Sequence, residues 1–159
     1  MSDPVEDFFE VCTANFDFLV EEFGLKRKAK KRDAGVYRVP YESARAKVEV
    51  GFDWREQYIY VLLGKPGVPR WQAEGRLPSP SDELTAFNLE DLLSLRTSGS
   101  GVDARTFGRA LTREDIVHVC DTYARALREH AADVLGGDFS VMPAVARIMN
   151  ERAEKYSRP

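Results

Sequence analysis

The sequence predicts an α+β fold, in which a small antiparallel sheet of about three strands or more packs with an N-terminal helix and two C-terminal helices. Three observations predict this fold: helical spacing of apolar residues at the start of the chain, strand-like alternation in the middle, and helical spacing again near the end. Helices and strands that are segregated along a chain in this way are typical of α+β proteins. A length of 159 residues suits one domain, so we predict a single α+β domain over 1–159.

The first helix is predicted over Pro4–Phe23. Asp3 can cap its first turn, Glu6 can complete a capping-box-like pair, and proline is favoured at the first helical position. Gly24 can end the helix in the left-handed conformation, with Leu25 folding back onto the last turn. The apolar residues that follow the helical repeat are Val5, Phe8, Phe9, Cys12, Phe16, Leu19, Val20 and Phe23.

The middle of the chain is predicted to form the sheet. A basic run, Lys26–Arg32, is predicted to be a charged connector that protects a sheet edge. One strand is predicted over Gly35–Tyr41, ending at the proline, and a second over Ala44–Phe52, where apolar and charged residues alternate. Tyr58–Leu63 is the predicted return arm of a hairpin, with its turn at Asp53–Gln57.

Two loops and a short helix follow the hairpin. Gly64–Ser81 is rich in glycine and proline and is predicted to be a loop, with Trp71 in it. Asn88 can cap a short helix over Leu89–Leu95. Thr97–Gly101 has the composition of a flexible loop within one domain.

Two predicted helices close the chain. Thr112 with Asp115 forms a capping pair for the first of them, and Gly136–Gly137 ends it. Asp138 is predicted to cap the second, with Pro143 in its first turns. The inner stripe of the first helix is Ile116, Cys120, Tyr123, Leu127, Ala131 and Val134, and that of the second is Val145, Ile148, Met149 and Tyr156.

Composition and charge exclude several classes of protein. The net charge of −3 argues against a general nucleic-acid binder, and the longest apolar run, Tyr58–Leu63, has six residues, too few to cross a membrane. The acidic start lacks the basic region of a secretory signal, so we expect a cytoplasmic protein. Cys12 and Cys120 are too few for a disulfide framework and lie at apolar helical positions, so we expect two buried thiols.

No motif for catalysis, cofactor binding or metal binding occurs in the sequence. It lacks the G-x-G-x-x-G pattern, the phosphate-binding loop, H-E-x-x-H and G-x-S-x-G. The two histidines, His118 and His130, are twelve residues apart on one predicted helix, about 120° apart around its axis, so they cannot share a metal ion. We therefore predict no catalytic, cofactor-binding or metal-binding residues.

An acidic stripe on the first helix is one candidate surface for a partner. We give this name to Glu6, Glu10, Asp17 and Glu21, which fall within about 60° of one another on a helical wheel, away from the apolar face. Residues 1–24 hold seven acids and no base, whereas residues 25–60 hold ten bases and five acids. The stripe is either a solvated helix side or a docking surface for a basic partner.

The second face of the sheet is the other candidate surface. If the alternate residues of the return strand fill the core, Tyr58 and Tyr60 point to the opposite side, and Trp54 in the hairpin turn extends the patch. Exposed tyrosine beside arginine is favoured at protein interfaces. Either the C-terminal helices cover this face, or it is exposed. Tyrosines beside a basic run also offer a patch for nucleic acid, which the overall acidity disfavours.

In outline, the chain resembles the immunity proteins of bacterial polymorphic toxin systems, which are small α+β proteins that neutralise a cognate toxin by binding it. The N-terminal helix, the Ala44–Leu63 hairpin and the closing helices joined through Leu135–Phe139 carry the resemblance. It implies a non-enzymatic, cytoplasmic protein-binding module whose partner is a protein, specifically a basic toxin.

Two alternatives stay open. The element order also resembles that of type III secretion chaperones, acidic dimers that begin with a helix followed by three strands, which implies a secretion chaperone or a homodimeric adaptor. A small-molecule-binding protein or an enzyme without a recognised motif is the other alternative. The sequence allows a monomer or a homodimer.

Overall fold

The computed structural model describes residues 3–67, 85–97 and 109–157. An antiparallel sheet packs with N-terminal and C-terminal helices, which confirms the predicted α+β class. The helices are α1 (Pro4–Phe16), α2 (Phe18–Phe23), α3 (Leu89–Arg96), α4 (Arg113–His130), α5 (Ala132–Leu135) and α6 (Met142–Ser157). The strands are β1 (Lys26–Arg27), β2 (Lys31–Asp33), β3 (Val36–Glu42), β4 (Lys47–Asp53), β5 (Tyr58–Gly64) and β6 (Ala86–Asn88).

The strands pair in the order β1-β3-β4-β5-β6, and β2 also pairs with β3. The predicted hairpin of β4 and β5 is confirmed, and its register pairs Val50 with Val61 and Gly51 with Tyr60. We call the face that carries the two valines the inner face and the face that carries Gly51 and Tyr60 the outer face. β1, β2 and β6 have two or three residues each, so alternation could not reveal them.

The inner face packs against the helices and forms the hydrophobic core. Phe8 of α1 stacks on Phe52 of β4 with their ring centroids 5.5 Å apart, and Tyr123 of α4 is fully buried in the same core. Burying one such side chain stabilises the fold by about 1.5–3 kcal/mol. Cys12 of α1 and Cys120 of α4 are also fully buried, which confirms the prediction of two buried thiols.

The predicted N-terminal helix is in fact two helices that meet at Asp17. The Thr13 hydroxyl donates to the Phe9 carbonyl one turn earlier, and side-chain bonds of this kind bend helices. Both predicted ends are confirmed. The Asp3 carboxylate accepts an N–H of the first turn, and Gly24 ends α2 with a φ of 73°.

The predicted partner of the first cap is wrong. Glu6 does not complete a capping box with Asp3, because its carboxylate pairs with Arg32 of β2 instead. The caps predicted further along are confirmed: the Asn88 side chain accepts an N–H of α3, and Thr112 forms a reciprocal capping box with Asp115 at the start of α4.

Two predictions about the closing helices are corrected. Helix α4 ends at His130 and α5 is separate, because the Arg96 guanidinium binds the His130 carbonyl and Ala131 leaves the helical conformation. Asp138 does not cap α6. Its carboxylate accepts the N–H of Ser140 in a turn that precedes the helix. The stop at Gly136–Gly137 is confirmed, with a φ of 99° at Gly137.

The strand predicted to end at Pro40 continues to Glu42. The Pro40 carbonyl accepts the N–H of Lys28, so the side of Pro40 that lacks a donor faces the connection between β1 and β2 rather than β4. Strand β4 begins at Lys47, later than predicted, because the Ser43 hydroxyl accepts two N–H groups of the preceding turn.

Two predicted loops lie largely or wholly outside the described residues. The first residue of the predicted Gly64–Ser81 loop, Gly64, belongs to β5. The structure describes this loop only as far as Gly67, so Trp71 lies outside the described residues. Residues 98–101 lie outside it as well. Among the described helices, none combines the length and the hydropathy needed to span a bilayer.

Candidate functional site

The acidic stripe is exposed, but most of its charge is paired within the chain. Arg32 lies 2.9 Å from Glu6, and Arg27 donates two bonds of 3.1 Å to the Asp17 carboxylate. Arg113 of α4 pairs with Glu10 at 2.9 Å. Glu21 is exposed and has no ion-pair partner within the described residues. The stripe is therefore a row of acid–base pairs.

The basic run supplies two of these arginines because it alternates between the faces of the sheet. Arg27 pairs with Tyr41 across the strands and Arg32 with Tyr37, so both arginines lie on the inner side, next to α1. The guanidinium of Arg32 also lies 5.1 Å from the centre of the Phe9 ring. The predicted charged connector is therefore itself two short edge strands, β1 and β2, and it neutralises part of the acidic stripe.

Asp17 connects the helical layer to the sheet. Its carboxylate accepts a bond of 3.1 Å from the hydroxyl of Tyr41, a fully buried residue of β3, besides the two from Arg27. Burial raises the pKa of the Tyr41 phenol well above its ordinary value of 10.0, and the neighbouring Cys12 and Asp17 add to the rise. The phenol therefore stays protonated and donates to Asp17. This residue of the stripe thus has a structural role, because it holds the end of α1 to β3.

Replacing Asp17 by alanine is expected to destabilise the fold by about 1–2 kcal/mol, because the Tyr41 hydroxyl loses its acceptor in a buried position. Urea unfolding of the purified variant measures the loss. Glu21→Ala is the matched control, since it removes a stripe carboxylate without a described partner, and it should stay within about 0.5 kcal/mol of the wild type. Equal stabilities of the two variants would contradict a structural role for Asp17.

Tyr58 and Tyr60 lie side by side on the outer face, as predicted. Their rings stack with centroids 6.1 Å apart, and the Tyr60 hydroxyl donates to Glu49 at 3.3 Å. Tyr60 is only 7% exposed, because its ring lies directly over Gly51 of the neighbouring strand. Tyr58 is half-buried, so this pair offers a partner less aromatic surface than Trp54 does.

Trp54 is exposed on a rigid turn. Its side chain is 43% exposed and packs edge-on against Phe52, with ring centroids 6.1 Å apart. The backbone N–H of Trp54 donates to the Gly35 carbonyl at 2.9 Å, and the side-chain amide of Gln57 donates to the Trp54 carbonyl at 2.7 Å. The Asp53 carboxylate accepts two further N–H groups of the turn. The indole is therefore presented from a fixed backbone.

Contacts through the core place Trp54 at the same end of the molecule as the first turns of α1. Phe52 contacts both Trp54 and Phe8, and Phe8 lies in α1 two positions after Glu6, which pairs with Arg32. Trp54 thus lies on the side of the sheet that packs against α1, the helix that carries most of the acidic stripe, whereas the two tyrosines lie on the other face.

The two cysteines and the two histidines of the chain lie on α1 and α4. Burial raises the pKa of the Cys12 thiol, and it raises that of Cys120 to about 12, so neither sulfur is a thiolate at neutral pH. His118 and His130 lie on α4 as predicted, separated by about 18 Å along its axis. Within ranges 3–67, 85–97 and 109–157, no three His, Cys, Asp or Glu residues cluster to hold a metal ion.

The outer face also contains a hollow of about 290 Å³, which no sequence pattern indicated. Pro40, Leu62 and Ala86 provide apolar lining, and Lys28 and Lys31 of the basic run stand at it. The lysines lie here because the arginines of the same run face α1. Alternation within the run could have indicated this division, but no pattern in the sequence indicated that the run pairs with β3.

The chain was also compared with known proteins. No family model matches it, and neither curated proteins nor solved structures provide a match. The fold and the geometry of its surfaces therefore carry the functional argument.

Proposed function

We propose that this chain is a non-enzymatic protein-binding module of the immunity type, which neutralises a cognate bacterial toxin by binding it in the cytoplasm. The binding surface consists of Trp54 and the adjoining part of the acidic stripe. The exposure of Trp54 on a rigid turn carries the proposal. Tryptophan is among the residues most enriched at the energetic centres of protein interfaces.

Rigidity of the turn supports binding through this residue. A side chain held on a fixed backbone loses little conformational freedom when a partner covers it, so more of the contact energy remains for affinity. The fixed turn also includes Arg55, whose side chain lies against Gly35 of the neighbouring turn. Arginine and tryptophan together are typical of such centres.

The acidic stripe supports a basic partner. Its ion pairs with Arg32 and Arg113 are exposed, and exposed pairs of this kind contribute only about 0–1 kcal/mol each to stability. A partner's lysine or arginine can therefore replace or share them at little cost. Glu21 has no ion-pair partner among the described residues, so a basic residue of the partner protein can pair with it without displacing another. Complementary charge of this kind increases the rate of association more than the final affinity.

Co-expression tests the proposal. We expect cells that produce the toxin encoded beside this protein's gene to survive when this protein is co-expressed, and the two purified proteins to form a complex in sedimentation. Full toxicity in its presence would contradict the immunity function. A stable homodimer without affinity for the toxin would favour the chaperone or adaptor instead.

A further inference from the structure

The hollow on the outer face has the size and lining of a small ligand site. Its volume of about 290 Å³ corresponds to about ten water molecules. Pro40 and Leu62 lie in one cross-strand row with Glu49 between them, and Ala86 of β6 extends the apolar lining. Neither Trp54 nor any residue of the acidic stripe lines it.

Two of the lysines at the hollow have no acidic partner among the described residues. Lys28 and Lys31 are exposed, and neither forms an ion pair with any residue that the structure describes. The two carboxylates that also line the hollow already accept hydrogen bonds: Glu42 from the N–H of Gly67 at 3.3 Å and Glu49 from the hydroxyl of Tyr60. Both carboxylates keep their charge, but the three lining lysines, Lys28, Lys31 and Lys47, outnumber them, so an added anion meets a net positive charge.

A second observation points the same way. Arg38 pairs with Lys31 across β3 and β2, on the same face, and its side chain is only 18% exposed. Its Nε is buried without a hydrogen-bond partner, and its guanidinium is 3.9 Å from the exposed carboxylate of Asp33. Arg38 does not line the hollow, but its ion pair with the exposed Asp33 offsets only part of the positive potential that it adds to this side of the sheet.

We infer that this hollow binds a small organic anion: a carboxylate attached to a short aliphatic chain. The carboxylate lies between Lys28 and Lys31, and the chain lies on Pro40, Leu62 and Ala86. Apolar lining with a few convergent charged groups is the usual composition of a small-molecule site. The site is separate from the surface proposed for the toxin, so either proposal can fail without the other.

Nuclear magnetic resonance titration with hexanoate tests the inference. We expect saturable shifts of the backbone amide signals of Leu62 and Ala86 with a dissociation constant in the millimolar range, as suits a ligand of this size. Hexan-1-ol and hexylamine carry the same chain without the negative charge, and neither should saturate these shifts. Saturation by hexan-1-ol with equal affinity would overturn the inference, as would the absence of saturation well above millimolar hexanoate.

Charge-neutral variants locate the anion. The double variant Lys28→Gln/Lys31→Gln should bind hexanoate about tenfold more weakly, because two exposed charge contacts are lost. Lys26→Gln is the matched control, since Lys26 is an exposed lysine of the same run that does not line the hollow, and its affinity should be that of the wild type. Unchanged affinity in the double variant, or equal weakening by Lys26→Gln, would refute the site.

Discussion

Substituting alanine for Gly51 is expected to destabilise the fold by about 1–3 kcal/mol, as overpacking of a tightly packed site does. An added Cβ would lie 2.1 Å from Cζ of Tyr60 and 2.3 Å from its hydroxyl oxygen, far inside van der Waals contact. The ring cannot move aside freely, because it stacks on Tyr58 and its hydroxyl binds Glu49. Urea unfolding measures the loss.

A double-mutant cycle shows whether Tyr60 causes that loss. In the background of Tyr60→Ala the substitution at Gly51 should cost far less, giving a coupling energy of about 1–2 kcal/mol. Gly136→Ala is the control, since the nearest atoms to its added Cβ are backbone oxygens at 3.5 Å, and it should change stability little. If the effects of the two substitutions on the free energy of unfolding were additive, the loss at Gly51 would not come from a clash with the Tyr60 ring.

Features of the fold that depend only on residues close together in the chain were predictable from the sequence. The cap at Asp3, the stop at Gly24 and the capping box of Thr112 with Asp115 each need only residues a few positions apart. The hairpin of β4 and β5 likewise follows from alternation on both sides of one turn. These local preferences agree with the final fold, which is why they could be identified in isolation.

The pairing of the acidic stripe was not predictable. Arg113 meets Glu10 from 103 positions away, and Arg32 meets Glu6 from 26 positions away. A helical wheel shows only the charges of one helix, so it could not show the arginines from other elements that pair with the stripe carboxylates. The contacts of the Asp17 side chain were not predictable for the same reason, because its main partners, Arg27 and Tyr41, come from strands.

Placing Trp54 in the hairpin turn required only the sequence, whereas its exposure required the fold. The aromatic residues of the hairpin differ in what covers them: Phe52 is fully buried against α1, Tyr60 lies over Gly51, and Trp54 extends beyond the end of the strand. Sequence reasoning treated the two tyrosines and the tryptophan as one patch. The structure separates them, and Trp54 is the most exposed of the three, which is why we propose that a partner binds through the tryptophan.

Trp54→Ala is expected to weaken binding of the cognate toxin by at least about 2 kcal/mol, roughly a thirtyfold loss of affinity, while the fold stays intact. The indole is 43% exposed and the turn is held by backbone bonds, so its removal leaves the hydrogen bonds of the hairpin in place. Isothermal titration calorimetry measures the affinity, and growth of the co-expressing cells reports protection.

Val117→Ala provides the matched control for this experiment. Val117 lies on α4 and is also 43% exposed, so its substitution removes apolar surface of similar accessibility away from the hairpin turn. Trp54→Phe keeps an aromatic ring at the turn and should retain part of the affinity, which separates loss of contact from loss of the turn. If Trp54→Ala binds and protects as the wild type does while Val117→Ala weakens both, the toxin binds at the helical surface and the role proposed for the hairpin turn is wrong.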